Sequence, residues 1–99
     1  MTNTTQTQRP LFPLGQIFMT PGAESALESA DQSPFELLAR HRIGDWGEGL
    51  PPEDIQANQE ALQHGLRLLS RYVTKQDDVI WVITEHDRSY TTLLLPNEY

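Results

Sequence analysis

The last third of the chain leaves the least freedom. Residues 66–73, 79–84 and 91–96 are three strand-like runs in a row, rich in Leu, Val, Ile, Thr and aromatics. Two short polar segments separate them, Lys75-Gln76-Asp77-Asp78 and Glu85-His86-Asp87-Arg88. Connections this tight join antiparallel neighbours, because a parallel pairing needs a long crossover. A small meander is therefore required. In its first strand Leu66, Leu68, Ser70 and Tyr72 share one side, opposite Arg67, Leu69, Arg71 and Val73. Residues 79–84 are nearly all apolar, which predicts a central strand covered on both faces. The last strand runs over about 90–95.

Upstream the period changes. Residues 14–20 form a short β-forming run. Thr20-Pro21 then reads as an N-cap with proline in the first helical turn, and Ala23, Ala26, Leu27 and Ala30 follow at helical spacing. Ser33-Pro34-Phe35-Glu36 predicts a capping box opening a second helix, with Phe35, Leu38 and Ala39 as its buried stripe. That helix ends near Arg42, before the glycine-rich loop Gly44-Asp45-Trp46-Gly47-Glu48-Gly49-Leu50. Pro51-Pro52-Glu53-Asp54 opens a third, peripheral helix with Ile55, Asn58, Gln59 and Leu62 on one face and Gly65 as its stop. The order β-α-α-(α)-β-β-β predicts an α+β domain over residues 13–99. It would hold an antiparallel sheet of about four strands with helices packed on one face. Residues 1–12 predict a disordered polar tail, too polar for a signal peptide.

Composition narrows the function classes. The chain has 99 residues, enough for one modest core. It contains no cysteine, so disulfides, zinc–thiolate sites and thiol catalysis are excluded, and a cytoplasmic location is expected. No apolar run approaches the roughly 20 residues that span a bilayer, so no membrane association is expected. The net charge of −7 repels phosphates and argues against nucleic acid as a partner. Arg40, Arg42, Arg67, Arg71, Lys75 and Arg88 all follow residue 36, which leaves room for a local basic patch on the sheet. The acidic surface suits a basic protein partner, or serves solubility alone.

Four constellations can carry chemistry. The first gathers His41, Asp45, Arg88, Thr91 and Thr92. The histidine would act as general base or acid, the arginine would hold an anion, and the threonines would supply hydroxyls. The bland reading puts His41 on a helix dipole and Arg88 on Glu85 or Asp87. The second is Gly44-Asp45-Trp46-Gly47, where Trp46 either anchors a partner or plugs the end of the core. A small domain's need for large aromatics favours the plug, with Asp45 satisfying loop N–H groups. The third is a metal site. His41, His64 and His86 lack ligand spacing, so neither metal nor cofactor is expected. The fourth is the sheet edge, formed by residues 14–20 and by the closing strand with Pro96-Asn97-Glu98-Tyr99. It is open to strand addition by a partner or a second copy, as in an edge-strand homodimer.

Two resemblances attach to these residues. Leu14-Gly15-Gln16 with Thr20-Pro21-Gly22-Ala23, Arg40-His41 with Gly44-Asp45-Trp46-Gly47, and Trp81-Val82-Ile83-Thr84-Glu85 with Asp87-Arg88-Ser89 and Thr91-Thr92 resemble a group of small bacterial proteins. That group is often carried on plasmids and other mobile elements. The element order is also similar to RelE-like and barnase-like ribonuclease folds. That likeness implies Arg67, Arg71, Tyr72 and Arg88 as matching sheet positions, with His41 from the helical side. RelE-like toxins are basic, whereas this chain is acidic.

Two functions are therefore expected. One is a non-enzymatic protein-interaction module binding through its acidic surface or through Asp45, Trp46, Arg67 and Arg71, with a host system among its expected targets. The other is a small metal-independent ribonuclease or phosphodiesterase using His41, Arg88, Thr91 and Tyr72.

Overall fold

A computed structural model describes residues 9–99. Its elements follow the expected order: β1 (Gln16–Met19), α1 (Pro21–Ser29), α2 (Pro34–His41), α3 (Pro52–His64), β2 (Leu68–Val73), β3 (Val79–Thr84), β4 (Tyr90–Leu94) and a closing 3-10 turn (Pro96–Glu98). The domain is α+β, with three helices packed on a four-stranded sheet.

The sheet is mixed rather than purely antiparallel. Its spatial order is β1-β4-β3-β2, and β1 pairs with β4 in parallel, Ile17 opposite Thr91. The connectivity explains this. The three helices carry the chain across the sheet between β1 and β2, so those two strands point the same way. Two antiparallel steps, β2 to β3 and β3 to β4, return β4 to the direction of β2. β1 laid beside β4 is then parallel. The closing strand is consequently interior, and the edges are β1 and β2.

Local signals set the helix ends. The Ala23 N–H donates to Thr20 Oγ1 at 3.2 Å, with Pro21 opening α1. Ser33 caps α2, but its Oγ accepts from Phe35 N at 3.1 Å. Glu36 does not reach back as a capping box would; it accepts instead from the Gln32 amide. Gly65 closes α3 in the left-handed conformation at φ 66°. The buried stripe of α2 is Leu37, Leu38 and His41; Phe35 and Ala39 face outward. The helix is rolled so that His41 enters the core.

The core has two lobes. Under the middle of the sheet Ala23, Ala26, Leu27, Leu37 and Leu38 meet Tyr72, Ile80, Val82 and Leu93. The small alanine face of α1 lets that helix approach closely. Under the β2 end Phe12, Trp46, Leu50, Ala61 and Leu68 form the second lobe. The predicted polar tail divides: residues 1–8 lie outside the described residues, whereas Leu11 N–H bonds Arg42 O and Phe12 is only 6% exposed. The packed body therefore includes Phe12. No described helix is long and apolar enough to cross a membrane.

Candidate functional site

Of the polar residues singled out by sequence, His41 and Thr91 converge, but inside the protein and through Ser70 and Thr84; Asp45, Arg88 and Thr92 do not join them. His41 Nδ1 shares a 2.6 Å hydrogen bond with Ser70 Oγ of β2, and Nε2 shares one of 2.9 Å with Thr84 Oγ1 of β3. Thr84 Oγ1 lies 2.7 Å from Thr91 Oγ1 of β4, which donates to Leu14 O at 2.7 Å. His41, Ser70, Thr84 and Thr91 are all fully buried. The chain of hydroxyls crosses three adjacent strands because Ser70, Thr84 and Thr91 occupy inward positions on the helix-facing side. Phe12 packs edge-on against the imidazole at 5.1 Å and Trp46 does so at 5.8 Å. Burial, and secondarily the positive charge of Arg88, holds the His41 pKa down at about 3. The ring is neutral at physiological pH, and both nitrogens are occupied.

Arg88 has a different task. Its backbone is left-handed at φ 61°, in the β3–β4 turn. Its guanidinium donates to main-chain oxygens, to Leu66 at 2.5 Å, Ala61 at 3.0 Å and Glu85 at 3.0 Å. Ala61 is in the last turn of α3 and its carbonyl already accepts from Gly65 and Leu66 N–H, and Leu66 follows the helix, so Arg88 adds a further donor there and ties the end of α3 to the turn. It does not pair with Glu85 or Asp87 through their carboxylates. Asp87 instead accepts from Ser89 N–H and Oγ, which keeps its carboxyl below the ordinary range.

The Trp46 loop is a plug. Trp46 is 9% exposed and stacks on Phe12, with centroids 6.4 Å apart. Asp45 accepts from Gly47 N–H at 3.2 Å and from Arg40 Nε at 2.7 Å. The bond from Arg40 lowers the Asp45 pKa. Arg40 also bonds Glu48 at 2.7 Å and lies over the Tyr72 ring. The Tyr72 hydroxyl donates to Asp45 O at 2.6 Å, and burial pushes its pKa above the ordinary value. Tyr72 faces the core while its neighbours Arg71 and Val73 face the opposite side, so the sheet positions implied by the ribonuclease likeness do not share a face. Arg71 donates to Glu48 O at 2.8 Å, and Arg67 is engaged with the Tyr99 ring and hydroxyl. Thr92 lies on the face opposite Thr91. Among the described residues no group of three or more His, Asp or Glu side chains is placed to hold a metal.

Of the two edges expected from sequence, residues 14–20 do form one, whereas the closing strand is interior and β2, whose edge was not foreseen, forms the other. At β2, the buried Asn58 of α3 donates to Leu69 O at 2.7 Å and accepts from Leu69 N–H at 3.0 Å. One side-chain amide thereby stands in for a strand. Two residues on, Arg71 N–H donates to Trp46 O at 2.9 Å. α3 is thus bound to the sheet through Asn58 and Ala61; Ile55 and Gln59, expected on its packed face, are exposed. At β1 the opposite holds. Gln16 and Thr20 N–H groups bond the carbonyls of Ser89, just before β4, and of Leu93 on it, so by alternation the amides and carbonyls of Ile17 and Met19 point away from the sheet. They find no partner among the described residues. Ile17 is 41% and Phe18 50% exposed. Phe18 meets Tyr90 edge-on at 5.6 Å on the face away from the helices. On the helix side Leu14, Ile17, Phe35, Leu38, Ala39 and Arg42 line an open groove of about 400 Å³. The available signal was the absence of any charge from Pro10 to Ala23. Phe35 was hidden by its place in a helical period.

No protein-family model, curated protein or solved structure matches the chain.

Proposed function

We propose that this chain is a non-enzymatic protein-interaction module whose contact surface is the β1 edge with its flanking groove. The observation that carries this reading is the distribution of unsatisfied groups. The hydroxyls and imidazole that a phosphodiesterase would need are buried and bonded to one another. The open main-chain groups of Ile17 and Met19 run along β1 between two exposed apolar surfaces, Phe18 with Tyr90 on one face of the sheet and Ile17 with Phe35 on the other. An unpaired edge beside an apolar groove is what strand addition requires. Trp46 is withdrawn into the core, so the contact moves from the glycine loop to β1. We place the role in a cytoplasmic setting, which suits a chain without cysteine.

The test pairs a capture with an assay. A tagged chain, wild type or Phe18→Glu, is expressed in bacteria, and the retained proteins are identified by mass spectrometry. Phe18 is exposed, so the variant keeps its fold, which circular dichroism checks. Proteins held by wild type should be lost from Phe18→Glu. In parallel, neither wild type nor His41→Gln should cleave RNA. Cleavage by wild type that disappears in a folded His41→Gln variant overturns the reading and restores the ribonuclease.

A further inference from the structure

We propose that the occupant of the β1 edge is a second copy of this chain, paired antiparallel about a two-fold axis through Phe18. The inference rests on the reading of β1 as the contact surface and names its partner. Three observations lead to it.

The first is parity. The outward main-chain groups belong to Ile17 and Met19, which lie symmetrically about Phe18. An antiparallel copy placed with Phe18 opposite its own equivalent sets Ile17 opposite Met19 of the other copy, and the reverse. Both pairs are then hydrogen-bonded, and the Phe18 pair is of the non-hydrogen-bonded kind. This is the isologous pairing that a two-fold dimer demands. A slip by one residue would turn the outward groups away from each other. A slip by two keeps the parity but sets Ile17 or Met19 against its own equivalent and leaves the other outward residue opposite Gly15 or Pro21, so the Phe18-centred register makes the most hydrogen bonds.

The second is charge. Two chains of net charge −7 repel wherever their acidic surfaces meet. The segment from Pro10 to Ala23 carries no charge of its own, and the Glu98 carboxylate held by Thr20 Oγ1 and Gly22 N–H sits past the end of β1 rather than at its centre, so two copies paired about Phe18 oppose no like charges along the strand. Edge strands that must stay single are ordinarily guarded by lysine or by inward-pointing charge. β1 has neither guard, and Pro13 and Pro21 lie outside the strand.

The third is side-chain content. Across the axis Phe18 would meet its own equivalent, with a Tyr90 ring already edge-on to each. The four rings would form one cluster on the face away from the helices. On the helix side, Met19 of each copy would lie opposite Ile17, at the mouth of the groove walled by Phe35 and Leu38. Phe18, Phe35 and Tyr90 are 50%, 72% and 39% exposed. At about 150–250 Å² per aromatic side chain, their exposed parts come to on the order of 300 Å². A standard interface buries about 800 Å² per partner. The dimer is accordingly a weak one, with a Kd on the order of 10–100 μM.

Sedimentation equilibrium on the full chain tests this directly. Wild type should pass from monomer to dimer across that range, and Phe18→Glu should raise the Kd at least about tenfold. The variant's thermal midpoint, taken in dilute solution, should match wild type. The register has its own test, because the chain has no cysteine. Cα atoms of a non-hydrogen-bonded pair lie about 4.5 Å apart, within disulfide reach. Phe18→Cys should oxidise to a covalent dimer with an unchanged circular dichroism spectrum. Ile17→Cys, which faces Met19 across the axis, should remain mostly reduced. Equal oxidation of the two variants overturns the register. A wild type still monomeric at about 1 mM overturns the dimer. If Phe18→Glu nevertheless loses captured proteins, the contact-surface reading survives with a different partner; if it loses none, both readings fall.

Discussion

The two edges of one sheet are treated in opposite ways. At β2 every outward group of Leu69, and the N–H of Arg71, has a partner supplied by α3 or by the Trp46 loop. At β1 the equivalent groups of Ile17 and Met19 are left open beside exposed Phe18 and Phe35. Unpaired strand edges invite pairing with any available chain. A protein that covers the Leu69–Arg71 stretch of one edge with a buried amide and a glycine loop, leaving only the Arg71 carbonyl and Val73 open there among the described residues, yet leaves the other edge uncovered and uncharged, weights its capacity for association toward β1. The lesson is that the exposed residues matter less singly than the main-chain groups beside them.

The comparison can be broken most forcefully at Gly47. Its φ is +89°, and a Cβ there would lie 1.9 Å from the Arg71 carbonyl oxygen. Gly47→Ala must therefore adopt a left-handed conformation that costs a substituted residue about 1–2 kcal/mol, and must also push the loop off β2. With the bond to Trp46 O and the packing of Trp46 lost as well, a total of about 4 kcal/mol is expected. Urea unfolding followed by Trp fluorescence reads it. A change under about 1 kcal/mol would mean that the loop does not close the edge.

Asn58→Ala comes next. It strips both partners from the Leu69 main chain and leaves a small void next to Ala61. Two orphaned groups at about 1–2 kcal/mol each predict a loss of about 2–4 kcal/mol. Hydrogen exchange should accelerate at Leu69 and leave the β1–β4 ladder protected. If the β4 amides accelerate as much as Leu69, the closed edge is not a separate local feature.

Acid gives the smallest effect, and it acts through the histidine joining β2 to β3. His41 titrates near 3 in the folded chain against about 6.5 when unfolded. Above pH 6.5 neither state binds the proton, and His41 contributes no pH dependence. As the pH falls below 6.5 the unfolded chain takes up a proton that the folded chain refuses, so stability falls until about pH 3. Between pH 6.5 and 5, before the carboxylates begin to titrate, the loss is about 2 kcal/mol. Asp45, Asp87 and Glu98, whose pKa values are lowered in the fold, add a loss of the same sign at lower pH. His41→Gln should flatten the slope between pH 6.5 and 5 while lowering stability at pH 7. A slope that persists in this variant assigns the dependence to another group.

What could be read directly from the chain was what depends on neighbours in sequence. The period-two runs placed β2, β3 and β4 within a residue or two, and the tight turns between them required antiparallel pairing. Thr20, Ser33 and Gly65 marked helix ends because a cap acts within one turn. The candidate site was legible only as a set of residue types. His41 and Thr91 do converge, but nothing local says whether a histidine at a helix end faces water or three buried hydroxyls. The tertiary structure alone decided that, by rolling α2 until Leu37, Leu38 and His41 faced the sheet and Phe35 did not. It alone made the sheet mixed, by setting β1 beside a strand whose residue Leu93 lies 73 positions from Thr20. It alone turned Asn58 into an edge and left β1 without one. Periodicity is a short-range record of which face is buried. The pairing of distant segments depends on the whole core they share, and that sum is written in no single stretch of the chain.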